Sequence, residues 1–292
     1  MIMKTIYPYF SQNPLNRLDE IRRNSKEVNF LKNLESSLFL LFSNEEIIFD
    51  KINKKYFFKK GDFDTSKAIL LGRKNNINYF TLNIEQNIPK YLSKLSIKDF
   101  INTDILEENQ SGIIAQAAAI LNWHKSHQFC SSCGEKTCMS NSGWKRDCPS
   151  CKKEHFPRTD PVVMMLVTYD DYCLLGRGVN FEKNRYSCLA GFMESGESIE
   201  NAAKRELYEE VGLVGEEVEY IMCQPWPFPY SLMIGVHVEV KSKKLKLDPN
   251  EIADAKWIHK EDIKQILNGN ENHGVLLPRK MAISRNLLEF WV

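Results

Sequence analysis

Between Gly191 and Gly212 the chain reads GFMESGESIENAAKRELYEEVG, and this stretch constrains the fold more than any other. At about 100° per residue, Ile199, Ala202, Ala203 and Leu207 share one arc of a helix predicted from about Ser198 to Val211. Ser198 suits the N-cap and Gly212 the C′ stop. Glu206 and Glu210 fall inside that apolar arc, with Glu209 three residues beyond Glu206. Like charges at this spacing repel, and carboxylates set into an apolar stripe are costly unless paired or bound to a cation. Arg205 can pair with only part of the charge. Clustered carboxylates without a matching set of side-chain cations point to hard divalent ions, Mg2+ or Mn2+; the alternative is a solvated acidic face. Gly191 and Gly196 permit a tight loop at the helix N-terminus, where backbone N–H groups face an anion. A phosphate-accepting loop leading into a metal-binding helix suits attack on phosphorus.

A second cluster lies upstream. CSSC (130–133) and CPSC (148–151) are two C-x2-C pairs 14 residues apart, a spacing that lets Cys130, Cys133, Cys148 and Cys151 converge on one Zn2+. A redox-inert ion there would brace a segment too small to bury its own core. Four free cysteines, or a nucleic-acid-binding ribbon, are the competing readings, and the segment's mixed charge favours a structural site. Cys138, Cys173, Cys188 and Cys223 read as small core residues. With four cysteines closing a tetrahedron, His124, His127 and His155 read as structural.

The 292 residues, 43% hydrophobic and 26% charged, suit a globular chain of about two domains. A formal net charge of +1 gives no basic excess for long nucleic-acid or membrane contacts, so a phosphate-bearing partner must be held locally. MIMKTIYPYF lacks the pattern of a secretory leader, and the longest apolar run, LFLLF, is far below the ~18 residues of a spanning helix. These features predict a cytoplasmic protein without a membrane partner. Residues 1–125 carry short β-like runs, among them KAILLG and INYFTL around the turn-like RKNN, and read as a small, mostly β N-terminal domain ending in a helix. Residues 126–157 form the ribbon and 158–292 a mixed α/β domain closed by a helix near MAISRNLLEFW. No repeat of solenoid period is present.

Gly191, Glu197 and the run Arg205, Glu206, Leu207, Tyr208, Glu209, Glu210, Val211, Gly212, Leu213 reproduce the whole Nudix box, and the chain resembles the Nudix hydrolases. The resemblance implies an α/β/α sandwich that hydrolyses a nucleoside diphosphate linked to another moiety. It assigns Glu206, Glu209 and Glu210 to more than one catalytic metal ion, with Arg205 and Glu197 orienting helix and loop. Which glutamate is the base stays open.

CQPWPFPYS (223–231) is stiff and aromatic, suited either to a pocket for flat rings or to an ordinary buried loop. It resembles the SQPWPFPxS signature of the NADH pyrophosphatase subfamily, which also carries a four-cysteine ribbon before its Nudix domain; Cys223 replaces the first serine. The resemblance implies substrate contacts from Gln224, Pro225, Trp226, Pro227, Phe228, Pro229, Tyr230 and Ser231. It further implies an adenine ring stacked between Phe192 and Phe156 of a second subunit, hence a homodimer. Glu251, in DPNEIADAKW, becomes a further metal ligand, with Asp254 as the alternative; Ala190 would offer a backbone carbonyl to metal and Ser284 a backbone contact to substrate. The expected activity is hydrolysis of NAD(H) to AMP and nicotinamide mononucleotide. Removal of an NAD cap from RNA by the same chemistry is the nearest rival, and a non-catalytic nucleic-acid-binding sensor the rival of another class.

Overall fold

The computed structural model describes residues 7–61, 63–84, 88–107, 109–270 and 274–292; the first six residues of the decapeptide discussed above lie outside them. The chain divides into two compact units. The N-terminal unit holds Gln12–Thr159 together with Trp226–Tyr230, and the C-terminal unit holds Asp160–Pro225, Ser231–Val292 and the described residues before Gln12.

The N-terminal unit comprises α1 (Asp19–Arg22), α2 (Ser25–Lys32), β1 (Leu38–Ser43), β2 (Glu46–Asp50), β3 (Phe57–Phe58), β4 (Ile69–Lys74), β5 (Ile77–Asn83), β6 (Leu92–Ser96), α3 (Ile97–Phe100) and α4 (Ser111–Ser126). A small ribbon sheet of β7 (Cys138–Ser140), β8 (Lys145–Asp147) and β9 (Glu154–His155) follows. The large sheet runs β4-β5-β1-β2-β6, with β3 paired to β1. At its centre β1 and β5 are parallel, whereas β1–β2, β1–β3, β2–β6 and β4–β5 are antiparallel. Phe39 to Phe42 are all buried, so β1 is an unbroken apolar run, as a strand covered on both faces must be. The RKNN turn forms as the sequence suggests, with Asn75 and Asn76 both at positive φ, the geometry of a two-residue hairpin. Val28 and Leu31 of α2 cover one face together with Phe39, Leu41, Phe80 and Leu82. At Gly112 in α4 a Cβ would lie 2.0 Å from the carbonyl oxygen of Gln12, so only glycine permits this approach.

The C-terminal unit contains β10 (Asp160–Tyr169), β11 (Tyr172–Gly178), β12 (Leu189–Phe192), α5 (Ile199–Val211), β13 (Gly215–Trp226) but for its last residue, β14 (Ser231–Val240), β15 (Ile252–His259), α6 (Lys260–Leu267) and α7 (Ile283–Trp291). Its sheet runs β13-β14-β10-β11-β15, with β12 on β10. One face meets α5 through Ala202, Ala203, Leu207 and Val211 against Val163, Met165, Val236 and Val238. The other meets α6 and α7 through Ile263, Ile266, Ile283 and Leu287 against Leu166, Cys173 and Leu175. The result is an α/β/α sandwich.

The two large sheets are wired alike. Replacing β1 to β6 by β10 to β15 in order reproduces the strand order, the parallel central pair and the off-path strand. This internal duplication escapes the sequence reading, because strand wiring leaves no residue-by-residue periodicity. The copies differ in the helix that covers them. In the C-terminal sheet α5 enters between β12 and β13; the β3–β4 connection has no helix among its described residues, and α2, arriving before β1, covers the face instead.

Candidate functional site

Helix α5 forms where its sequence predicts. Ser198 Oγ accepts from the Asn201 N–H at 3.3 Å, and Gly212 ends the helix at φ 71°. Packing of Ala202, Ala203, Leu207 and Val211 fixes the rotation of the helix, which carries Glu206 against β12 and leaves Glu210 buried. At Gly191 on β12 a Cβ would fall 1.9 Å from Glu206 Cδ; the glycine is the cradle in which that carboxylate lies.

Arg205 organises this surface. Its Nε and Nη2 donate to the two oxygens of Glu197 at 2.6 and 2.9 Å. Nη1 donates to Glu206 at 2.8 Å and Glu209 at 2.9 Å, and Nη2 also reaches the Phe192 carbonyl at 3.0 Å. Glu197 in turn accepts from the Glu194 N–H at 2.8 Å, which ties the glycine loop to the helix. These donors, Arg205 first, hold the Glu197 carboxyl down at about 2.

Glu210 stands outside this network. It is 5% exposed, and its Oε2 is buried without a hydrogen-bond partner. Burial, with Glu206 and Glu251 nearby, pushes its carboxyl up to about 8; burial also raises Glu206, against the pull of Arg205. Four carboxylates, Glu206, Glu209, Glu210 and Glu251, thus share one neighbourhood, and the one arginine among them neutralises only part of it. An orphaned buried oxygen beside two further carboxylates is what a hard divalent cation would satisfy, so the residues present fit such an ion.

Glu251 comes from the turn before β15. The Asp248 N–H donates to the Glu210 carbonyl at 2.9 Å, and the N–H groups of Glu251 and Ile252 close onto the Asp248 carbonyl. Asp254, the alternative ligand, instead accepts from the Tyr186 hydroxyl. Ala190 sits on β12, paired with Met164.

Other expected contact residues are placed differently. Gln224 is completely buried, and its amide is committed to protein: Nε2 donates to the carbonyls of Tyr9 and Met281, and Oε1 accepts from the Ile283 N–H. The side chain acts as a staple between these backbone segments. Ser284 is also buried, its hydroxyl bonded to the Cys188 N–H and Ser187 Oγ. Ser231 is buried opposite Asp160 in the β10–β14 pair. Phe192, by contrast, is 61% exposed.

Trp226–Tyr230 belong to the N-terminal unit, apart from Pro225 and Ser231. The turn is built by Trp226 and Phe228 in edge-to-face contact at 5.1 Å, with Lys98 over the Phe228 ring at 4.8 Å and Arg158 over Tyr230 at 5.8 Å. Pro227, Phe228, Pro229 and Tyr230 line a broad cavity of about 1500 Å3 in that unit. Phe156 follows β9 and is 60% exposed.

In the ribbon the sulfurs of Cys130, Cys133, Cys148 and Cys151 all lie within 4.8 Å of one another, with Cys130–Cys151 and Cys133–Cys148 at 3.5 Å. Tetrahedral zinc with bonds of about 2.3 Å needs sulfurs about 3.8 Å apart, so this donor set fits Zn2+. Backbone N–H groups, Ser132 first, hold the Cys130 thiol down at about 6, favouring the thiolate that metal requires.

Comparison with known proteins bears on both clusters. The NUDIX domain family matches residues 158–280, the NADH pyrophosphatase zinc ribbon domain residues 125–156, and the NADH pyrophosphatase-like rudimentary NUDIX domain residues 36–123. Residues 158–280 form a NUDIX domain. The rudimentary NUDIX match falls on the sheet whose wiring repeats that of the NUDIX domain proper. Among relatives, the NAD-capped RNA hydrolase NUDT12 of Macaca fascicularis is 42% identical over 197 residues, covering 64% of this chain and 43% of the relative. The mitochondrial NAD(P)H pyrophosphatase NUDT13 of Mus musculus is 40% identical, covering 64% and 56%. The NAD-capped RNA hydrolase NudC of Mycobacterium bovis is 36% identical, covering 64% and 62%. The chain thus spans about half the length of the curated relatives it matches. None of its helices, among the described residues, is long and apolar enough to cross a membrane.

Proposed function

We propose that this chain hydrolyses the pyrophosphate bond of NAD(H), giving AMP and nicotinamide mononucleotide, with Mg2+ or Mn2+ as catalytic ions. The observation that carries the reading is Glu210, whose carboxylate oxygen is buried without a partner while the charges of Glu206 and Glu251 act on it. The name of the Mus musculus relative, an NAD(P)H pyrophosphatase, supports the substrate.

Glu206, Glu209, Glu210 and Glu251 would hold more than one ion, with the Ala190 carbonyl as a further donor; bound there, the ions polarise phosphoryl oxygens and acidify water. Arg205 keeps Glu206 and Glu209 aimed while clamping Glu197. The glycine loop offers N–H groups to a phosphate oxygen at the start of α5. Phe192, exposed at the end of β12, provides a face for the adenine ring, with Phe156 of a second subunit closing the stack in a homodimer. One carboxylate of the cluster takes the proton of the attacking water. Cys130, Cys133, Cys148 and Cys151 hold one structural Zn2+ and take no part in the reaction. A cytoplasmic location is part of the same reading.

Removal of an NAD cap from the 5′ end of RNA is the second reading, favoured by the names of the Macaca and Mycobacterium relatives. A net charge of +1 gives little hold on a long RNA, though a capped end needs few phosphate contacts.

Product analysis tests both readings. Wild type and Glu210→Gln are mixed with NADH and, separately, with NAD-capped RNA, in Mg2+ or Mn2+. AMP and reduced nicotinamide mononucleotide from wild type, largely lost in the variant, are expected. Cleavage confined to RNA moves the assignment to decapping. Folded, zinc-loaded protein that cuts neither substrate overturns the reading in favour of a nucleic-acid-binding sensor.

A further inference from the structure

We infer that the ribbon is a site of oxidation by peroxide, which joins Cys130 to Cys151 and Cys133 to Cys148, across the two cysteine turns, and so releases the structural ion. The inference rests on the zinc reading above and extends it to what the same four sulfurs do with an oxidant.

The two turns are built alike. In the first, the Cys130 N–H donates to the Glu135 carbonyl at 2.8 Å and the Gly134 N–H to the Cys130 carbonyl at 2.9 Å. In the second, the Cys148 N–H donates to the Lys153 carbonyl at 2.9 Å and the Lys152 N–H to the Cys148 carbonyl at 3.1 Å. Each turn holds one buried cysteine, Cys130 or Cys148, and one exposed cysteine, Cys133 or Cys151. The two sulfur contacts at 3.5 Å run between the turns, and each joins a buried cysteine to an exposed one.

This pairing supplies both partners of a stepwise oxidation. Thiolate is the form that attacks peroxide, and the accessible thiolate is the one reached. The sulfur of exposed Cys133 attacks one peroxide oxygen, the O–O bond breaks, hydroxide leaves, and the sulfur becomes a sulfenic acid. The Cys148 thiolate, 3.5 Å away, then attacks that sulfur; the S–S bond forms, the S–O bond breaks and a second hydroxide leaves. Cys151 and Cys130 follow the same two steps. Each pair passes two electrons to one peroxide molecule, and its sulfurs need close only to the bonded distance of about 2 Å. A disulfide sulfur is no longer a thiolate donor, so two disulfides leave the ion without ligands.

Pairing within a turn is the rival, because C-x2-C is also the spacing of redox-active disulfides. Here the Ser132 N–H donates to Cys130 Sγ at 3.4 Å, and the backbone bonds just described brace each turn around its own pair. Linkage across the turns leaves those bonds in place. Cys138 is exposed as well, but it lies on β7 opposite Asp147 and outside the four-sulfur cluster.

The test titrates zinc-loaded wild type and Cys138→Ser with hydrogen peroxide. Zinc release is followed with a chromogenic chelator, and disulfides are located by fragmentation mass spectrometry of non-reduced digests. Both proteins should release close to one zinc per chain for every two peroxides consumed. The linkages should be Cys130–Cys151 and Cys133–Cys148, and dithiothreitol with added zinc should restore the loaded ribbon. Linkage within either turn, Cys130 joined to Cys148, sulfinic acid at Cys133 or Cys151 without a disulfide, or zinc retained while peroxide is consumed would overturn the inference and leave the zinc reading intact. Folded protein that holds no zinc before peroxide is added would instead remove the zinc reading, and the inference with it.

Discussion

The Asp248 N–H donates to the carbonyl of Glu210 at 2.9 Å. One hydrogen bond thus fastens the turn that carries Glu251 to the last turn of the helix that carries the other three glutamates. The bond also gives a partner to a C-terminal carbonyl that the helix leaves open. Two carboxylates 41 residues apart in sequence are held near each other by backbone, which does not depend on the charge of either side chain.

Glu210 sits at a cost to the metal-free fold, since one oxygen is buried without a partner. At about pH 9, above the raised value of the carboxyl, Glu210→Gln replaces a desolvated charge with a neutral amide. In zinc-loaded protein dialysed free of Mg2+ and Mn2+, the variant should be more stable than wild type by about 1–3 kcal/mol. Urea midpoints with and without added Mn2+ check this; the ion should narrow or reverse the gap by stabilising wild type alone.

Gln224→Ala should behave as a core lesion. Three hydrogen bonds disappear, and the Ile283 N–H and two carbonyls lose their partner. The expected loss is about 2–4 kcal/mol, read as a lower denaturation midpoint. KM for NADH measured well below that midpoint should stay within about threefold of wild type, because the amide faces protein and not substrate.

His124 gives the fold an acid limit. Arginine can only donate, so Arg146 bonded to Nδ1 at 2.9 Å fixes Nδ1 as acceptor and Nε2–H as donor to the Gly143 carbonyl at 2.7 Å. Burial foremost, with Arg146 adding to it, lowers the imidazole from 6.5 to about 4. As pH falls the unfolded chain therefore takes up this proton first. Stability attributable to His124 is intact above about pH 6.5 and is lost progressively toward pH 4, by at most about 3 kcal/mol. Urea midpoints at pH 7.5 and pH 5 should differ more in wild type than in His124→Gln; equal slopes would remove His124 as the cause.

Cys133→Ser removes one of four sulfurs within 4.8 Å of one another. Zinc content should drop from one per chain to well below half, and the ribbon should become protease-sensitive. Metal analysis after gel filtration measures the first effect and limited proteolysis the second.

What the sequence made legible is local. The α5 boundaries, both caps and the inward glutamates follow from spacing and side-chain chemistry within one helix, and the ribbon follows from two short cysteine pairs. The Asn75–Asn76 hairpin was legible for the same reason. What stayed hidden depends on partners distant in sequence. Gln224 lies within a stretch that resembles a binding signature, yet its partners Tyr9, Met281 and Ile283 come from both ends of the chain. Tyr186 and Asp254 are 68 residues apart, and no periodicity in either segment marks the hydrogen bond that joins them. The division of CQPWPFPYS between two units is likewise a matter of packing, invisible in a motif read as one piece. The shared wiring of the two sheets is hidden most deeply, because backbone pairing can recur without recurrence of residues.

That shared wiring separates two demands usually met by the same residues. The β1–β6 sheet holds its strand order with α2 supplied from upstream and no helix among the described residues of the β3–β4 connection, so the architecture does not require a glycine loop and acidic helix at that point. In the β10–β15 sheet, the segment from Met193 to Gly212 is therefore an insert that the scaffold tolerates and does not need for its pairing. Three of the four clustered glutamates reside in a connector, and what the strand before it must keep is Gly191, the cradle of Glu206.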